Sequence, residues 1–500
     1  MKTRKNGLLP EKQKNRAEIP VREYFFLSGG MFGQAVVSGF LTVFLFLFYN
    51  RIGIKPWISG LVLGISKAWD GVNDPVIGAL IDRKKQGAKG KFNSLILGTA
   101  FPVGVLSVLL FFVPLHIDMY AQCVWILVIY LGWDVLYTFH DISRWSLTAR
   151  VTPDENERSK IVTYSKTLFE IGLALPKILL LLVDEKNLIK LSSLTGYPVT
   201  YESVVRLTAA VIGVAGALAM SLTFMAKERI SVRNPPQPFL ADLKTTLFNK
   251  TLLLLLLSTL LGSGVLNLGS NVYFFNAVDA RLHLFGREIS GTNLYVFFGV
   301  FISVPAAFCA PLAHTIGKKI GMKNLIILNF FSNSVLSTIA YFIGFRGSRL
   351  TVVMLLMTLT SITKTWQRIA YISLVTDSVD YVEWKTGRRM EGETFALSSL
   401  TGKLGTGLST FMAGITLSVL KFNPAPVNGV VSAGALFQKW VWPVFMLGPV
   451  AGEILGIVPV LFIDYTGSKK ERIVAELTER RAQTSELGKI KQTERVETKT

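Results

Sequence analysis

Two acidic residues one helical turn apart lie in the second apolar segment of the chain. Lys67, Asp70 and Asp74 follow the spacing i, i+3 and i+7, which places the three side chains on one face of a helix, with Asn73 beside them. Two neighbouring carboxylates repel each other unless a cation or a proton lies between them. Carboxylate and amide oxygens are hard ligands, so this face predicts a site for Na⁺, Li⁺ or H⁺. The alternative is an inward acid pair neutralised by Lys67 and Arg144.

A second polar stripe occurs in the fourth apolar segment. Its members recur at i, i+4, i+7 and i+11 on one helical face, and they are Asp134, Thr138, Asp141 and Trp145. Thr138 can add a neutral oxygen to the cation shell. Asp141 can accept hydrogen bonds from a polyol, and Trp145 offers a flat apolar face to a sugar ring. The alternative is an ordinary contact between helices with one satisfied aspartate.

Positive charges lie in later apolar segments. Lys166 belongs to the fifth segment, and Lys364, Arg368 and Lys403 belong to the tenth and eleventh. Trp366 adds an aromatic ring to the tenth segment. Ionisable groups at membrane depth are costly, and they usually turn toward a partner or a water-filled cavity. Carboxylates concentrate in the N-terminal half of the chain and inward cations in the C-terminal half. This distribution predicts that a polar solute is held between the two halves.

The composition indicates what kind of fold positions these side chains. The 500-residue chain is 50% hydrophobic and 17% charged, has two cysteines, and its mean hydropathy is +0.44. Because soluble proteins carry about 25% charged residues, these values exclude a soluble fold, and they equally exclude disorder and a disulfide-stapled secreted domain. The net charge of +20 is not accompanied by a basic, aromatic nucleic-acid-binding module. The chain is predicted to be an integral membrane protein.

Signatures of enzymes and of cofactors are missing from the sequence. It contains no Gly-x-x-x-x-Gly-Lys phosphate loop, no Gly-x-Ser-x-Gly elbow and no His-Glu-x-x-His motif, and its four histidines are scattered. We therefore expect no catalytic residues, no cofactor and no nucleic-acid partner. The only metal ion we expect is Na⁺ at the cation site.

Twelve segments have the length and apolar character of membrane spans. Roughly twenty apolar residues cross a bilayer core, and such segments occur at about 25–50, 57–80, 92–114, 121–147, 160–184, 203–226, 250–277, 292–316, 323–345, 350–376, 392–420 and 440–465. Each segment assigned to the inside has at least three Lys or Arg residues, whereas each outside loop has two or fewer. This alternation follows the positive-inside rule, so it predicts a multi-pass protein of the cell membrane with both termini in the cytoplasm.

The twelve helices are predicted to form two six-helix halves in an all-α membrane protein. The halves span 25–226 and 250–465, and the connection 227–249 between them contains three prolines. Residues 1–24 and 466–500 are predicted to be cytoplasmic tails, the second of them a solvated extension. Two halves with a site between them are the pattern of secondary transporters.

Three motifs resemble one family of transporters. They are WDGVNDPVIGALID at 69–82, YTFHDISRWSL at 137–147 and DSVDYVEWKTGRRMEG at 377–392, the last followed by Lys403. The chain resembles the glycoside–pentoside–hexuronide:cation symporters, the melibiose-permease-like branch of the major facilitator superfamily. The similarity covers nearly all of residues 22–465.

The resemblance implies a fold of the major-facilitator type and roles for three sets of residues. The coupling cation, Na⁺, Li⁺ or H⁺, is implied at Asp70, Asn73, Asp74 and Thr138. The sugar is implied at Asp141, Trp145, Lys166, Ser399 and Lys403. The cytoplasmic signature, which we interpret as a gating segment, contains Asp377, Asp380, Tyr381, Glu383, Arg388, Arg389 and Glu391.

Departures from the family bear on the substrate. Gln34 and Ala35 stand where the melibiose permease has an adjacent Lys and Asp, and Arg144 and Arg368 add positive charge, with Trp366 nearby. The predicted sugar site thus loses an acidic residue and gains cationic ones. We therefore predict cation-coupled symport of a sugar or glycoside, with anionic hexuronides among the candidate substrates. Pairing of Asp141 with Arg144 would instead absorb the added charge.

Other functions stay open at this point. One is a transporter of a lipid-like or drug-like amphiphile, and another is a non-transporting membrane sensor. The sequence leaves open which sugar and which cation are bound, and whether transport is symport or exchange. Membrane lipid surrounds the predicted bundle, which needs no oligomeric partner to bury its charges.

Overall fold

Helices make up nearly all of the structure. The computed structural model describes residues 19–83, 90–152, 155–229, 249–262, 274–275, 280–284, 287–387, 390–422 and 434–480. The helices, in chain order, are α1 (Val21–Arg51), α2 (Pro56–Arg83), α3 (Lys91–Leu109), α4 (Met119–Val151), α5 (Glu155–Ile178), α6 (Glu185–Thr195), α7 (Tyr201–Ser221), α8 (Lys250–Gly262), α9 (Gly291–Cys309), α10 (Leu312–Ile320), α11 (Met322–Ile343), α12 (Arg349–Thr386), α13 (Glu391–Val419), α14 (Ala435–Leu461) and α15 (467–480). The 3₁₀ turns Leu179–Leu181 and Leu222–Met225 extend α5 and α7.

The predicted helical membrane architecture is confirmed. Among the described residues, seven helices are long and apolar enough to cross a membrane: α1, α3, α4, α7, α9, α11 and α14. Helices α2, α5, α12 and α13 are also long, but they carry the charged residues that the sequence analysis identified. Helix α8 is apolar and is described over 13 residues. These helices are consistent with twelve spans.

Helix α1 lies inside the N-terminal half. It packs against α5 and α7, and 78% of its apolar window is buried, against 22% to 44% in the other six helices of membrane length. Small residues permit this approach, because a Cβ atom at Gly33 would lie 2.4 Å from the Cβ of Ala219, and one at Gly172 would lie 2.8 Å from that of Ala35. Helix α1 is therefore shielded from lipid by its neighbours.

The C-terminal half is arranged around α11. This helix packs against α12 and α14, while α8 packs on α14 and α9 packs on α12. At one end of this half the rings of Phe274 and Phe445 stack at 4.5 Å. Three prolines interrupt α14, at Pro443, Pro449 and Pro459. Such breaks are tolerated in membrane helices because neighbouring groups satisfy the freed backbone atoms.

Helices α2 and α13 join the two halves through a glycine seam. A Cβ atom at Gly64 would lie 3.0 Å from the carbonyl oxygen of Gly407, and one at Gly407 would lie 2.8 Å from that of Gly64. Further along, a Cβ at Gly414 would lie 2.3 Å from the carbonyl oxygen of Pro56. Because the backbones themselves touch, only glycine fits these positions.

The start of the connection between the halves is anchored to the N-terminal half. Arg229 donates hydrogen bonds of 2.6 and 2.7 Å to the carboxylate of Glu23, and these bonds raise the pKa of the Arg229 guanidinium. Glu228 accepts from the backbone N–H groups of Lys91 (2.9 Å) and Phe92 (3.3 Å), so it caps α3, whose own N-cap residue is Gly90. The predicted connection 227–249 lies outside the described residues over 230–248.

Three elements differ from the predicted layout. Strands β1 (Arg281–Leu284) and β2 (Arg287–Ser290) form an antiparallel hairpin in a predicted outside loop. Helix α6 occupies another such loop. Helix α15 lies in the tail that was predicted to be solvated, but its residues Ile473 and Leu477 are buried. The predicted tails lie outside the described residues over 1–18 and 481–500.

The glycine seam generates a testable prediction. We expect Gly414→Val to lower the free energy of unfolding by about 1–3 kcal/mol, because the added side chain meets the backbone of α2 and overpacks the contact. Thermal unfolding of the purified protein in detergent measures this change. The matched control is Gly402→Val on the same helix, since no atom lies within 4 Å of a Cβ atom at Gly402. Equal effects of the two substitutions would contradict the role of the seam.

Candidate functional site

A polar cavity of about 550 Å³ lies between the two halves. Helices α1, α2 and α4 form most of its wall, and α13 closes it from the C-terminal half. Its charged lining residues are Lys67, Asp70, Asp74, Asp134, Asp141 and Lys403. The helical spacings found in the sequence place the acids of α2 and α4 on faces that meet here. The predicted stripes therefore converge on one site.

Lys403 contacts two acidic residues of α2, Asp70 and Asp74. Its ammonium donates to Asp70 Oδ1 at 2.6 Å and to the Asp70 carbonyl oxygen at 3.3 Å, and it also hydrogen-bonds to Asp74 Oδ2. The ammonium of Lys67 lies 3.4 Å from the other carboxylate oxygen of Asp70. The side chains of Lys403 and Asp70 are only 25% and 12% exposed, so these are partly desolvated charge pairs.

Neutral side chains and a third carboxylate complete the surroundings of the acid pair. Thr138 donates to Asp74 Oδ1 at 3.3 Å, so these two members of the predicted cation set lie side by side. Asn73 donates to Asp134 Oδ2 at 3.3 Å. The residue Asp134 is 1% exposed. The sequence analysis placed Asp134 on the α4 stripe but gave it no site role, although its spacing to Thr138 was a usable signal. Among the described residues, no group of three His, Cys, Asp or Glu is placed to hold a metal ion.

Asp141 and Arg144 form an internal pair with Gln34. Arg144 Nη2 lies 2.6 Å from Asp141 Oδ1, and its Nε donates to Gln34 Oε1 at 2.6 Å. Gln34 in turn donates to Asp141 Oδ1 at 2.7 Å, and Met31 Sδ contacts the same guanidinium. Arg144 is 1% exposed, so its charge is directed to Asp141 and not to the cavity. This is the alternative arrangement that the sequence analysis left open.

Aromatic rings line the cavity on the α4 side. The rings of Trp133 and Tyr137 stack with a centroid distance of 4.6 Å, and Tyr130 lies one turn before them. The sugar-stacking ring was predicted at Trp145 instead. Trp145 does not line the cavity, and its ring lies 4.5 Å from the guanidinium of Arg144. The sequence contained a usable signal for these two rings. Trp133 directly precedes Asp134 and Tyr137 directly precedes Thr138, so the rings recur at i and i+4 beside the polar stripe.

The other predicted substrate residues lie in different places. Ser399 lines the cavity. Lys166 is half-exposed and lies 3.4 Å from Glu170, one turn along α5. The indole of Trp366 donates to the carbonyl oxygen of Cys309 at 2.8 Å, which ties α12 to α9. Neither Lys166, Trp366 nor Arg368 is among the described residues that line the cavity, and Arg368 is exposed on α12.

The predicted gating segment contacts helix α15. Lys470 lies 2.5 Å from Asp377 Oδ2, the ring of Tyr381 meets that of Tyr465 edge-on at 5.3 Å, and the indole of Trp384 donates to Glu476 at 2.6 Å. Asp380 lies on the same stretch of α12, where the carbonyl oxygen of Glu383 accepts from Gly387 N at 2.8 Å. Arg388, Arg389 and the Glu391 side chain lie outside the described part of the chain.

A bundle of membrane-length helices in two halves, with a polar cavity between them, defines a membrane transporter of the major-facilitator type. The family model described as MFS/sugar transport protein matches residues 26–467, and the chain belongs to that family. The family resemblance found in the sequence is confirmed. The family and the relatives reported below are named as transporters.

Curated relatives cover nearly the whole chain. An uncharacterized symporter of Bacillus subtilis is 27% identical, covering 92% of this chain and 95% of its own length. The isoprimeverose transporter of Lactiplantibacillus pentosus is 27% identical, covering 94% of each chain. A putative sulfoquinovose importer of Salmonella typhimurium is 26% identical, covering 85% of this chain and 87% of its own.

A solved structure shares the fold. It is the inward-facing, unoccupied crystal structure of a bacterial homologue of the human lysosomal transporter Spinster, with a TM-score of 0.60 and 13% sequence identity. The match covers 88% of this chain and 95% of that one. At this level of identity, the likeness supports the fold alone.

The buried Arg144 generates a second prediction. We expect Arg144→Met to lower the free energy of unfolding by about 1–3 kcal/mol, because it removes the hydrogen bonds that the buried guanidinium donates to Asp141 and Gln34. Thermal unfolding in detergent measures the loss. Lys166→Met is the control, since exposed pairs such as Lys166–Glu170 contribute about 0–1 kcal/mol. Equal losses would show that Arg144 is not a buried structural charge.

Proposed function

We propose that this protein is a secondary active transporter that carries a sugar or glycoside in symport with a monovalent cation by alternating access. The observation that carries the proposal is the contact of Lys403 with Asp70 and Asp74, since it joins the two halves inside a polar cavity. Membership of a sugar transport family supports the substrate class. The cell membrane, with both termini cytoplasmic, is the location we propose.

Charge balance supports binding of one monovalent cation. Three carboxylates, those of Asp70, Asp74 and Asp134, face two ammonium groups, those of Lys67 and Lys403. One further positive charge, from Na⁺, Li⁺ or H⁺, makes the group neutral. Asn73 donates to Asp134 and Thr138 donates to Asp74, so both neutral members of the predicted cation set lie beside the carboxylates. Two carboxylates so close together favour a cation between them.

The position of Lys403 links cation binding to substrate binding. A cation that binds Asp70 and Asp74 competes with Lys403 for the same oxygen atoms. Its arrival frees the ammonium to donate hydrogen bonds to a sugar in the cavity, which Ser399 also lines. Such coupling is reciprocal, so the sugar must strengthen cation binding by the same factor. Release of Lys403 also loosens a contact between the halves, as alternating access requires.

Charges and rings near the cavity support a sugar or glycoside. Tyr137, whose ring stacks on the buried Trp133, offers an apolar surface, and Asp141 offers an acceptor for hydroxyl groups. Because Arg144 is paired with Asp141, an anionic hexuronide depends for positive charge on Lys403 and Lys67, the cations among the described residues that line the cavity. Two relatives carry names that refer to sugars, isoprimeverose and sulfoquinovose.

Uptake into proteoliposomes tests the substrate class and the ion together. Neutral galactosides, glucosides and pentosides are compared with glucuronides, each under an inward Na⁺, Li⁺ or H⁺ gradient. We expect one cation gradient to drive accumulation of at least one glycoside. Uptake that ignores all three gradients would contradict cation coupling, and uptake of lysolipids alone would contradict the substrate class.

The acid pair generates a third prediction. We expect Asp70→Asn and Asp74→Asn to lower gradient-driven accumulation about tenfold or more, because loss of a charged ligand removes roughly 1.5–3 kcal/mol. Uptake of the substrate identified above, with and without the cation gradient, measures the effect. Asp118→Asn is the control, since Asp118 caps α4 outside the cavity and asparagine also caps helices. A variant of the acid pair that still follows the gradient would refute the cation site.

Lys403 generates a fourth prediction. We expect Lys403→Ala to weaken substrate binding about tenfold to a hundredfold, since hydrogen bonds from a charged donor contribute roughly 1.5–3 kcal/mol, while the cation still binds. Titration calorimetry of sugar and of cation measures the two effects separately. Lys439→Ala, at an exposed lysine beside Trp440, is the control. Unchanged sugar binding would refute the role of Lys403.

A further inference from the structure

A buried carboxyl group lies in the C-terminal half, away from the cavity described above. Glu453 is part of α14 and is 4% exposed. It faces α11 and α12, whereas the described residues that line the cavity belong to α1, α2, α4 and α13.

One oxygen of Glu453 is well satisfied and the other is not. Asn333 Nδ2 donates to Oε1 at 2.6 Å, and Ser337 fixes the Asn333 amide by donating to its oxygen at 3.3 Å. Oε2 is buried and has no hydrogen-bond partner among the described residues. A buried carboxylate with an unpartnered oxygen is costly, whereas the protonated acid removes the charge.

The cation nearest to Glu453 forms only a long ion pair with it. Lys364 Nζ lies 4.0 Å from Glu453 Oε1, at the limit of an ion pair, and its side chain is 57% exposed while that of Glu453 is 5% exposed. Lys364 lies near the middle of α12, one turn before the exposed Arg368. An ammonium at membrane depth is stable where water or a polar partner reaches it, so the exposed end of Lys364 requires a polar environment on this face of α12.

No other described charge faces Glu453 from the helices packed around it. On α11 the neighbouring groups are the neutral Asn333 and Ser337. On α8 the contact with this part of α14 is Ser258, which donates to the carbonyl oxygen of Gly456, and Lys250 lies at the helix start near Asp464. The charge of the Glu453 carboxyl group is therefore balanced either by Lys364 or by a bound proton.

We propose that Glu453 is a proton-binding site of the C-terminal half, and that its proton decides whether Lys364 stays at Glu453 or is free to attract an anionic group. The proton comes from water on the open side of Lys364 and binds a carboxylate oxygen. The neutral acid keeps the hydrogen bond from Asn333 and releases the ammonium, which stays charged. The second part, an anion attracted by Lys364, rests on the proposed transport of glycosides.

Infrared spectroscopy of the full-length protein in nanodiscs tests the proton site without any substrate. We expect a protonated-carboxyl band that disappears as pH is raised and that is missing in Glu453→Gln. In Lys364→Gln the same band should persist to higher pH, because the cation that favours the carboxylate is gone. Glu170→Gln is the matched control, since Glu170 is the exposed partner of Lys166, and it should keep the band. An unchanged spectrum in Glu453→Gln, or an unshifted band in Lys364→Gln, would overturn the proposal.

Calorimetry with phenyl β-glucuronide and phenyl β-glucoside tests the release of Lys364. We expect the glucuronide to bind about tenfold tighter or more as pH is lowered, since a charge-assisted hydrogen bond is gained. Glu453→Gln should bind it at this higher affinity at every pH, and the neutral glucoside should show neither effect. The same pH dependence in wild type and Glu453→Gln would refute the release. If neither glycoside binds, the proposed function fails, and the infrared result alone decides the proton site.

Discussion

The ammonium of Lys403 between Asp70 and Asp74 is the interaction on which the rest of the site depends. It belongs to α13, whereas both carboxylates belong to α2, so one charged contact crosses from the C-terminal half to the N-terminal half. Two acids one turn apart would repel each other without it. The glycine seam brings the two backbones close enough for a lysine side chain to reach both acids. Packing and charge therefore support each other at the same interface.

Charge in the N-terminal half is balanced locally, and this limits what the cavity can attract. Arg144 is held by Asp141 and Gln34, and Lys67 lies against Asp70. A count of charges along the sequence suggested an excess of cations, but burial of Arg144 removes that residue from the surface that a solute meets. In the transport cycle that we propose, Lys403 is the cavity cation that the coupling ion can release.

The sequence predicted the site as far as helical periodicity reaches. The spacings of Asp70, Asp74, Asp141 and Thr138 fix which side chains share a helix face, and the cavity confirms that these faces meet. Contacts between helices are not encoded in spacing, so the pairing of Lys403 with the acids could not be predicted, nor could the packing of α15 on α12. The pairing of Asp141 with Arg144 was predictable, because both residues lie on one helix at the spacing i, i+3. It was stated from the sequence as the alternative to a free positive charge in the cavity.

The two polar groups at membrane depth differ in what a movement of the halves does to them. Lys403 and its acids lie on different halves, so rocking of the halves changes the distances between them. Glu453, Asn333 and Lys364 all lie on helices of the C-terminal half, so rigid-body movement leaves them together. The first group can therefore respond to the conformation of the transporter, and a cation bound there can bias that conformation. The second can only set the charge offered to a solute, and in our proposal it does so in every conformation.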